Sequence, residues 1–300
     1  MMTGHLIHVG FPKTGSKFLQ RWFAQHPEIA FDPVGIGGCR DVYDLVRQAA
    51  APGGQIRCRV TSFEGLVTPH GRAGLLQPDE PWEGRRPDFE AQQRTCATLA
   101  ALFPSAQILL VTRGFRSILL SGYSEYVRFG GARDFHVFGP RDPAAAEQGR
   151  HAWHYDALIG LYEAAFGELI VLPYELLRDD PAAFTAELER RLGLGRFAPA
   201  PRPLNPSLSP AGLRWYPRLT RLIRRLPLGA PLRRALLRFY VPRIGGKRLE
   251  TLVGLLQRLR PATPVTPDLV TDDMLDFCRG KSERLRGNPL YAPYREEYLL

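Results

Sequence analysis

The chain is poor in cysteine, has only short apolar runs, and contains one long stretch without a single acidic side chain. Its four cysteines, Cys39, Cys58, Cys96 and Cys278, are scattered over 300 residues with no Cys-x-x-Cys pair. That spacing argues against a thiolate metal knot or a redox pair and predicts reduced thiols. No run reaches the ~18 apolar residues that a membrane span needs. The opening MMTGHLIHVGF has no long apolar segment behind a basic start, so no secretory signal is expected and the predicted location is cytoplasmic. Between Arg214 and Arg248 there are eleven Arg or Lys and no Asp or Glu. Removing those eleven from the 40 basic residues leaves 29 against 30 acidic ones, so the net charge of +10 belongs to that segment. The rest of the chain is no generic binder of polyanions.

What is present points to alternating strands and helices. HLIHVGF (5–11) is a short apolar run before a turn, and KFLQRWFAQH continues as a helix with Phe18, Leu19, Trp22 and Phe23 on one side. IRCRVTS (56–62), AQILLVT (106–112) and ELIVLPYE (168–175) read as further strands, the last two as continuous apolar runs buried on both faces. Helices are expected over 89–103, 115–129, 151–167 and 180–194, the last with Asp180 as N-cap and Pro181 in its first turn. The alternation predicts an α/β fold with a central parallel sheet flanked by helices, whose ligands bind at the carboxyl ends of the strands. A length of 300 residues at 44% hydrophobic content suits one domain. Its α/β core is expected over about residues 1–198. An Arg-rich helical C-terminal region, about 205–300, follows proline-rich turns.

The chemistry begins at GFPKTGSK, residues 10–17. Four residues separate Gly10 from Gly15, as in the phosphate loop of nucleoside-triphosphate enzymes, yet Ser16 precedes Lys17 where that loop places Lys before Ser or Thr. A strand, a glycine turn and a helix N-terminus form an anion cradle from backbone N–H groups and the helix dipole. Lys13 and Lys17 add charge to it, and Thr14 and Ser16 add hydroxyls. A magnesium-dependent loop also needs an acidic residue at the end of a neighbouring strand. Here ILLVT ends in Arg113, which repels a metal and attracts a second phosphate. The pattern asks for a nucleotide with two separated anionic groups and no metal between them.

These residues resemble the sulfotransferases that use 3′-phosphoadenosine 5′-phosphosulfate. Pro12-Lys13-Thr14-Gly15-Ser16 matches the family's Pro-Lys-[Ser/Thr]-Gly-[Ser/Thr] loop for the 5′-phosphosulfate. ILLVTRGFRSILLSGYSEY matches its 3′-phosphate motif, with Arg113 at the strand end, Ser121 eight residues on and Tyr123 two beyond. PYELLRDDPAAF resembles a later stretch of the family in which the tyrosine, here Tyr174, lies near the adenine. The resemblance spans about residues 5–195, and the end of the chain looks most like bacterial branches. It implies a P-loop-like three-layer fold with a helical C-terminal region. It also implies 3′-phosphoadenosine 5′-phosphosulfate as co-substrate without a metal, with Lys13 and Ser16 at the leaving phosphate. Two features depart from the family. Gly114-Phe115 stand where Asn-Pro often follows the arginine, and the closing Arg-Lys-Gly of the cytosolic branch has only Arg279-Gly280-Lys281 as a counterpart.

Transfer to an alcohol needs a base in line with the acceptor oxygen. The cytosolic branch uses a histidine at the end of the strand corresponding to IRCRVTS, which has none. The strand runs instead into Ser62-Phe63-Glu64, and carbohydrate-acting branches use a glutamate, so Glu64 is the expected base with His70 in reserve. His5 and His8 point to opposite strand faces. His151 and His154 stand one helical turn apart but no further ligand completes a metal site, and none is expected. Arg57 and Arg59 alternate with Cys58 and suit either an anionic acceptor or a salt-bridged scaffold.

The expected function is sulfuryl transfer to a hydroxyl-bearing carbohydrate, lipid or small metabolite, a bacterial, carbohydrate-sulfotransferase-like activity. Loops 65–88 and 130–150 are the expected acceptor walls. The alternatives are a P-loop nucleoside or sugar kinase, and a non-catalytic nucleotide-binding protein on the same fold. Residues 214–248 read either as a lid or as a peripheral contact with anionic membrane, and no nucleic-acid partner is expected.

Overall fold

The computed structural model describes residues 4–50, 56–67, 89–137, 153–198, 208–246 and 248–299. Five parallel strands form one sheet in the order β2-β3-β1-β4-β5. They are β1 (Gly4–Gly10), β2 (Ile29–Phe31), β3 (Cys58–Ser62), β4 (Gln107–Thr112) and β5 (Ile170–Pro173). β1 and β4 are central and almost continuously buried, which is why their sequences are apolar without alternation.

The sheet separates two apolar layers. One face carries Leu6, Val60, Leu109, Val111, Ile170 and Leu172. Helices α1 (Ser16–Gln25), α6 (Tyr174–Asp179) and α7 (Pro181–Leu192) cover it through Leu19, Trp22, Phe23, Leu177, Phe184 and Leu188. Helix α2 (Val42–Ala50) lies between β2 and β3 in the chain. The opposite face carries Ile7, Val9, Ile108 and Leu110. It is covered by α3 (Phe89–Leu102), α4 (Phe115–Arg128) and α5 (Tyr155–Phe166). The result is a three-layer α/β fold of the P-loop-like kind.

Beyond the sheet the chain is helical. Helices α8 (Pro210–Arg225) and α9 (Ala230–Gly245) pack on α4 and on each other, and α10 (Glu250–Leu259) packs on α8. The last turns, Pro289–Tyr294 and Arg295–Tyr298, return to the sheet and bury Tyr291 and Tyr298. Among the described residues no helix is long and apolar enough to cross a membrane.

Two of the shifts in element boundaries have a visible local cause. The strand predicted over 168–175 ends at Pro173, and Tyr174 and Glu175 open α6, because Pro173 breaks the ladder and suits a helix entry. The helix predicted from 151 starts at Tyr155, where the His154 side chain accepts a hydrogen bond from Ala157 N and so stops the helix from extending backward. His151 lies outside the described residues. The three-residue strand β2 and the helix α2 are not among the elements expected from sequence.

Candidate functional site

Parallel register places the carboxyl ends of β1, β3, β4 and β5 on one edge. The residues that follow them are therefore neighbours: the 11–17 loop, Glu64, Arg113 and Tyr174. Their sequence separation is large, and the strand direction alone gathers them.

The loop between β1 and α1 is shaped by backbone that most residues avoid. Gly15 is the N-cap of α1 in the left-handed region, φ 84°, and no side chain caps that helix end. A Cβ on Gly15 would stand 2.5 Å from Leu177 Cδ2 and 3.4 Å from the Tyr174 ring, so a side chain here must displace Leu177 as well as strain the backbone. Lys13 is also left-handed, φ 69°, an uncommon state for a lysine. Its carbonyl accepts a 2.6 Å hydrogen bond from Arg113 Nη1. Thr14 is buried and donates to the Phe11 carbonyl, closing the turn. Ser16 Oγ is buried with no partner among the described residues. Pro12 is half-buried, and Lys17 is exposed on the first turn of α1.

Arg113 leaves β4 beneath this loop. Nε donates to Ser117 Oγ at 2.9 Å, and the guanidinium lies 4.4 Å over the Tyr174 ring. Burial pushes its pKa down from the ordinary arginine value, while Tyr174 and Glu175 oppose that shift. Among the described residues it forms no ion pair with a carboxylate. Tyr174 therefore touches both the Gly15 turn and Arg113, joining the two phosphate-type motifs.

Helix α4 presents Ser117, Ser121 and Glu125 at intervals of four, one stripe along its surface. Ser121 is buried one turn beyond Ser117, with no hydrogen-bond partner among the described residues. Glu125 closes the stripe with an ion pair to Lys13 Nζ at 2.5 Å. Tyr123 sits about 200° around the helix from Ser121. Its hydroxyl donates to the carbonyls of Arg133 and Leu213, away from Arg113.

Glu64 lies in the turn after β3. That turn is pinned by Phe63 N donating to the His8 carbonyl and Val67 N donating to the Val9 carbonyl. A Cβ on Gly10 would meet the Glu64 carbonyl oxygen at 3.0 Å, so the Glu64 backbone abuts the start of the 11–17 loop. Beneath it, His8 Nδ1 pairs with Ser62 Oγ at 2.8 Å. Full burial lowers the His8 pKa to about 4, so that ring is neutral at neutral pH. His70 and most of both proposed acceptor walls (68–88 and 138–150) lie outside the described residues.

The other sequence candidates are placed elsewhere. Arg57 pairs with Glu28 at 3.2 Å and bonds the Gly193 carbonyl, a scaffold role. Arg59 lines a cavity of about 410 Å³ with His5 of β1, Phe103 and the 36–41 segment, including Cys39, Arg40 and Asp41. Arg279 pairs with Asp276, and the Lys281 carbonyl accepts from Asp156 N at the start of α5. Among the described residues no group of three or more His, Cys, Asp or Glu could hold a metal.

Sequence reading missed Ser117, Glu125, Glu175 and Tyr298. Ser117 and Glu125 were signalled by their four-residue spacing from Ser121. Glu175 is buried, accepts from Gly114 N at 3.0 Å and from Tyr298 OH at 2.7 Å, and so fixes the turn after Arg113. Nothing local announced a partner 123 residues away.

The cradle suits an anionic group. It combines an uncapped helix N-terminus, an unsatisfied buried hydroxyl on Ser16, Lys13 at the rim and a half-buried arginine that forms no carboxylate ion pair among the described residues.

No protein-family model matches the chain, and no curated protein matches it. Solved structures do. A sulfotransferase from Alicyclobacillus acidocaldarius aligns over 85% of this chain and 97% of its own, with 18% identity and a TM-score of 0.47. Mouse sulfotransferase SULT7A1 complexed with PAP aligns over 66% of this chain and 62% of its own, with 13% identity and a TM-score of 0.36. At these values the reading of the site rests on its own residues.

Proposed function

We propose that this protein is a sulfotransferase that takes 3′-phosphoadenosine 5′-phosphosulfate as co-substrate and a hydroxyl-bearing carbohydrate, lipid or small metabolite as acceptor. The observation that carries the reading is the Arg113–Lys13 bond. A half-buried arginine with no carboxylate ion pair among the described residues is tied directly to the backbone of a glycine-bearing phosphate loop. Two anion-binding elements thus share one edge.

In this reading the amides at the start of α1, Ser16 Oγ and Lys13 hold the 5′-phosphosulfate. Arg113, Ser117 and Ser121 hold the 3′-phosphate, and Tyr174 flanks the adenine. The donor supplies an activated sulfuryl group whose leaving phosphate gains charge as the bond breaks. Lys13 and the α1 N-terminus stabilise that charge. Glu64, at the end of the adjacent strand, takes the acceptor proton. Lys13 must loosen from Glu125 for this, which makes Glu125 a competitor for the same cation.

Calorimetry with 3′,5′-adenosine bisphosphate should show binding without magnesium, and much weaker binding of AMP. Better binding of ATP with magnesium than of the bisphosphate would transfer the site to a kinase. Incubation of acceptor pools with isotopically labelled donor should yield products heavier by one sulfate. Bisphosphate binding with no sulfated product from any pool would leave a nucleotide-binding protein.

A further inference from the structure

The helical layer of α8, α9 and α10 carries positive charge that its own contacts leave uncompensated. Residues 214–248 hold eleven Arg or Lys and no Asp or Glu. Among the described residues this stretch makes one ion pair, Arg221 with Asp134 at 3.0 Å. Arg214 and Arg224 donate to the carbonyls of Thr263 and Gly130, contacts that position a cation without neutralising it.

The same layer leaves apolar side chains in water. Helix α9 buries Tyr240 and Ile244 and, roughly 110° around its axis, exposes Leu232 and Phe239 at 57% and 58%. Arg234 and Arg238 are exposed on its other flank, roughly 100–160° around the helix from them. Arg243 lies over the Phe239 ring, 3.2 Å from its centroid. Leu222 is exposed near the end of α8, which packs against both α9 and α10. Helix α10 adds Leu252, Leu255 and Leu259 at helical spacing, all exposed, with Arg258 beside them.

This mixture selects among partners. Nucleic acid would use the arginines and leave the leucines in water. An apolar protein patch would use the leucines and bury unpaired cations at high cost. A bilayer with anionic headgroups accepts both, the apolar groups entering the interface and the guanidinium groups meeting phosphates. We propose that the outward face of α8, α9 and α10 is a peripheral docking surface for an anionic lipid bilayer. Leu232 and Phe239 enter its interface, and Arg234 and Arg238 contact its headgroups.

Co-sedimentation of the full chain with phosphatidylcholine vesicles containing about 30 mol % phosphatidylglycerol tests this. Binding should be at least about tenfold weaker to pure phosphatidylcholine and should fall as salt rises. Arg234→Gln with Arg238→Gln should weaken binding about 25-fold, about fivefold per cation removed. Phe239→Ser should weaken it several-fold. An unchanged thermal midpoint in each variant shows that the fold is intact. Equal binding to both vesicles, or none to either, would overturn the proposal. So would RNA binding that persists in Phe239→Ser while vesicles are ignored, which would assign the face to nucleic acid.

Discussion

Each cation of the candidate site has a distinct neighbour, and each neighbour predicts a distinct loss. Arg113 is half-buried and bonded to Ser117 Oγ and the Lys13 carbonyl. Arg113→Ala should weaken 3′,5′-adenosine bisphosphate by about 1.5–3 kcal/mol, the range for a hydrogen bond to a charged group. AMP lacks the 3′-phosphate and should lose far less; equal losses would separate Arg113 from that phosphate. Glu125 holds Lys13 in a half-exposed pair, an interaction worth about 0.2–1 kcal/mol. Glu125→Gln should therefore tighten bisphosphate binding by up to about fivefold at low salt, with the gain shrinking as salt rises. Weaker binding would make Glu125 a contributor rather than a competitor. Glu64→Gln keeps the shape and removes the proposed base. Turnover should fall roughly 10²–10⁴-fold with bisphosphate affinity nearly unchanged. Near-normal turnover, with loss in His70→Ala, would move the role to His70.

The elements that frame the site impose their own limits. The β1–α1 turn needs a left-handed residue exactly where α6 presses against it. Gly15→Ala adds backbone strain of about 1–2 kcal/mol, plus the displacement of Leu177, and should lower the urea midpoint accordingly. The pairing of β1 with β3 buries His8 against Ser62. Its folded pKa, about 4, is depressed below the unfolded value of 6.5. The stability from keeping His8 neutral is thus fully present above pH 6.5 and is lost as pH falls toward 4. A shift of that size corresponds to about 3 kcal/mol. Urea unfolding between pH 7 and 4 should show this loss in the wild type and not in His8→Gln.

Across the whole fold, the chain terminus braces the site from below. Tyr298 OH donates to the buried Glu175 carboxylate and also meets Thr112 Oγ1 at 3.1 Å, where Tyr291 OH lies at 2.7 Å. Glu175 in turn holds the Gly114 amide beside Arg113. Tyr298→Phe removes one partner of a buried carboxylate and should cost about 1–3 kcal/mol. It should also reduce bisphosphate affinity, although residue 298 is remote in sequence from both phosphate motifs. Burial raises the Glu175 pKa. Folding therefore favours its protonated form: this contribution is full below the unfolded pKa and declines as pH rises through the folded one. Glu175→Gln should remove that decline, seen as a flatter dependence of the unfolding midpoint above pH 4.5.

Order along the chain was enough to read β1, β4 and most helices, because apolar runs and four-residue spacing are local properties of the backbone. It also marked the 11–17 loop and Arg113, since a strand end followed by a glycine turn or a lone cation is legible within a few letters. The hydroxyl that Arg113 chooses was not legible. Ser117 and Ser121 both lie on the stripe, and packing at the strand end gives Nε to Ser117. Nor could spacing show that Tyr123 turns toward α8. The contacts Lys13–Glu125, Arg113–Lys13 and Glu175–Tyr298 join residues 112, 100 and 123 positions apart. Local sequence preferences act over a few residues, whereas these partners meet because five parallel strands end on one edge and the C-terminal turns fold back beneath it.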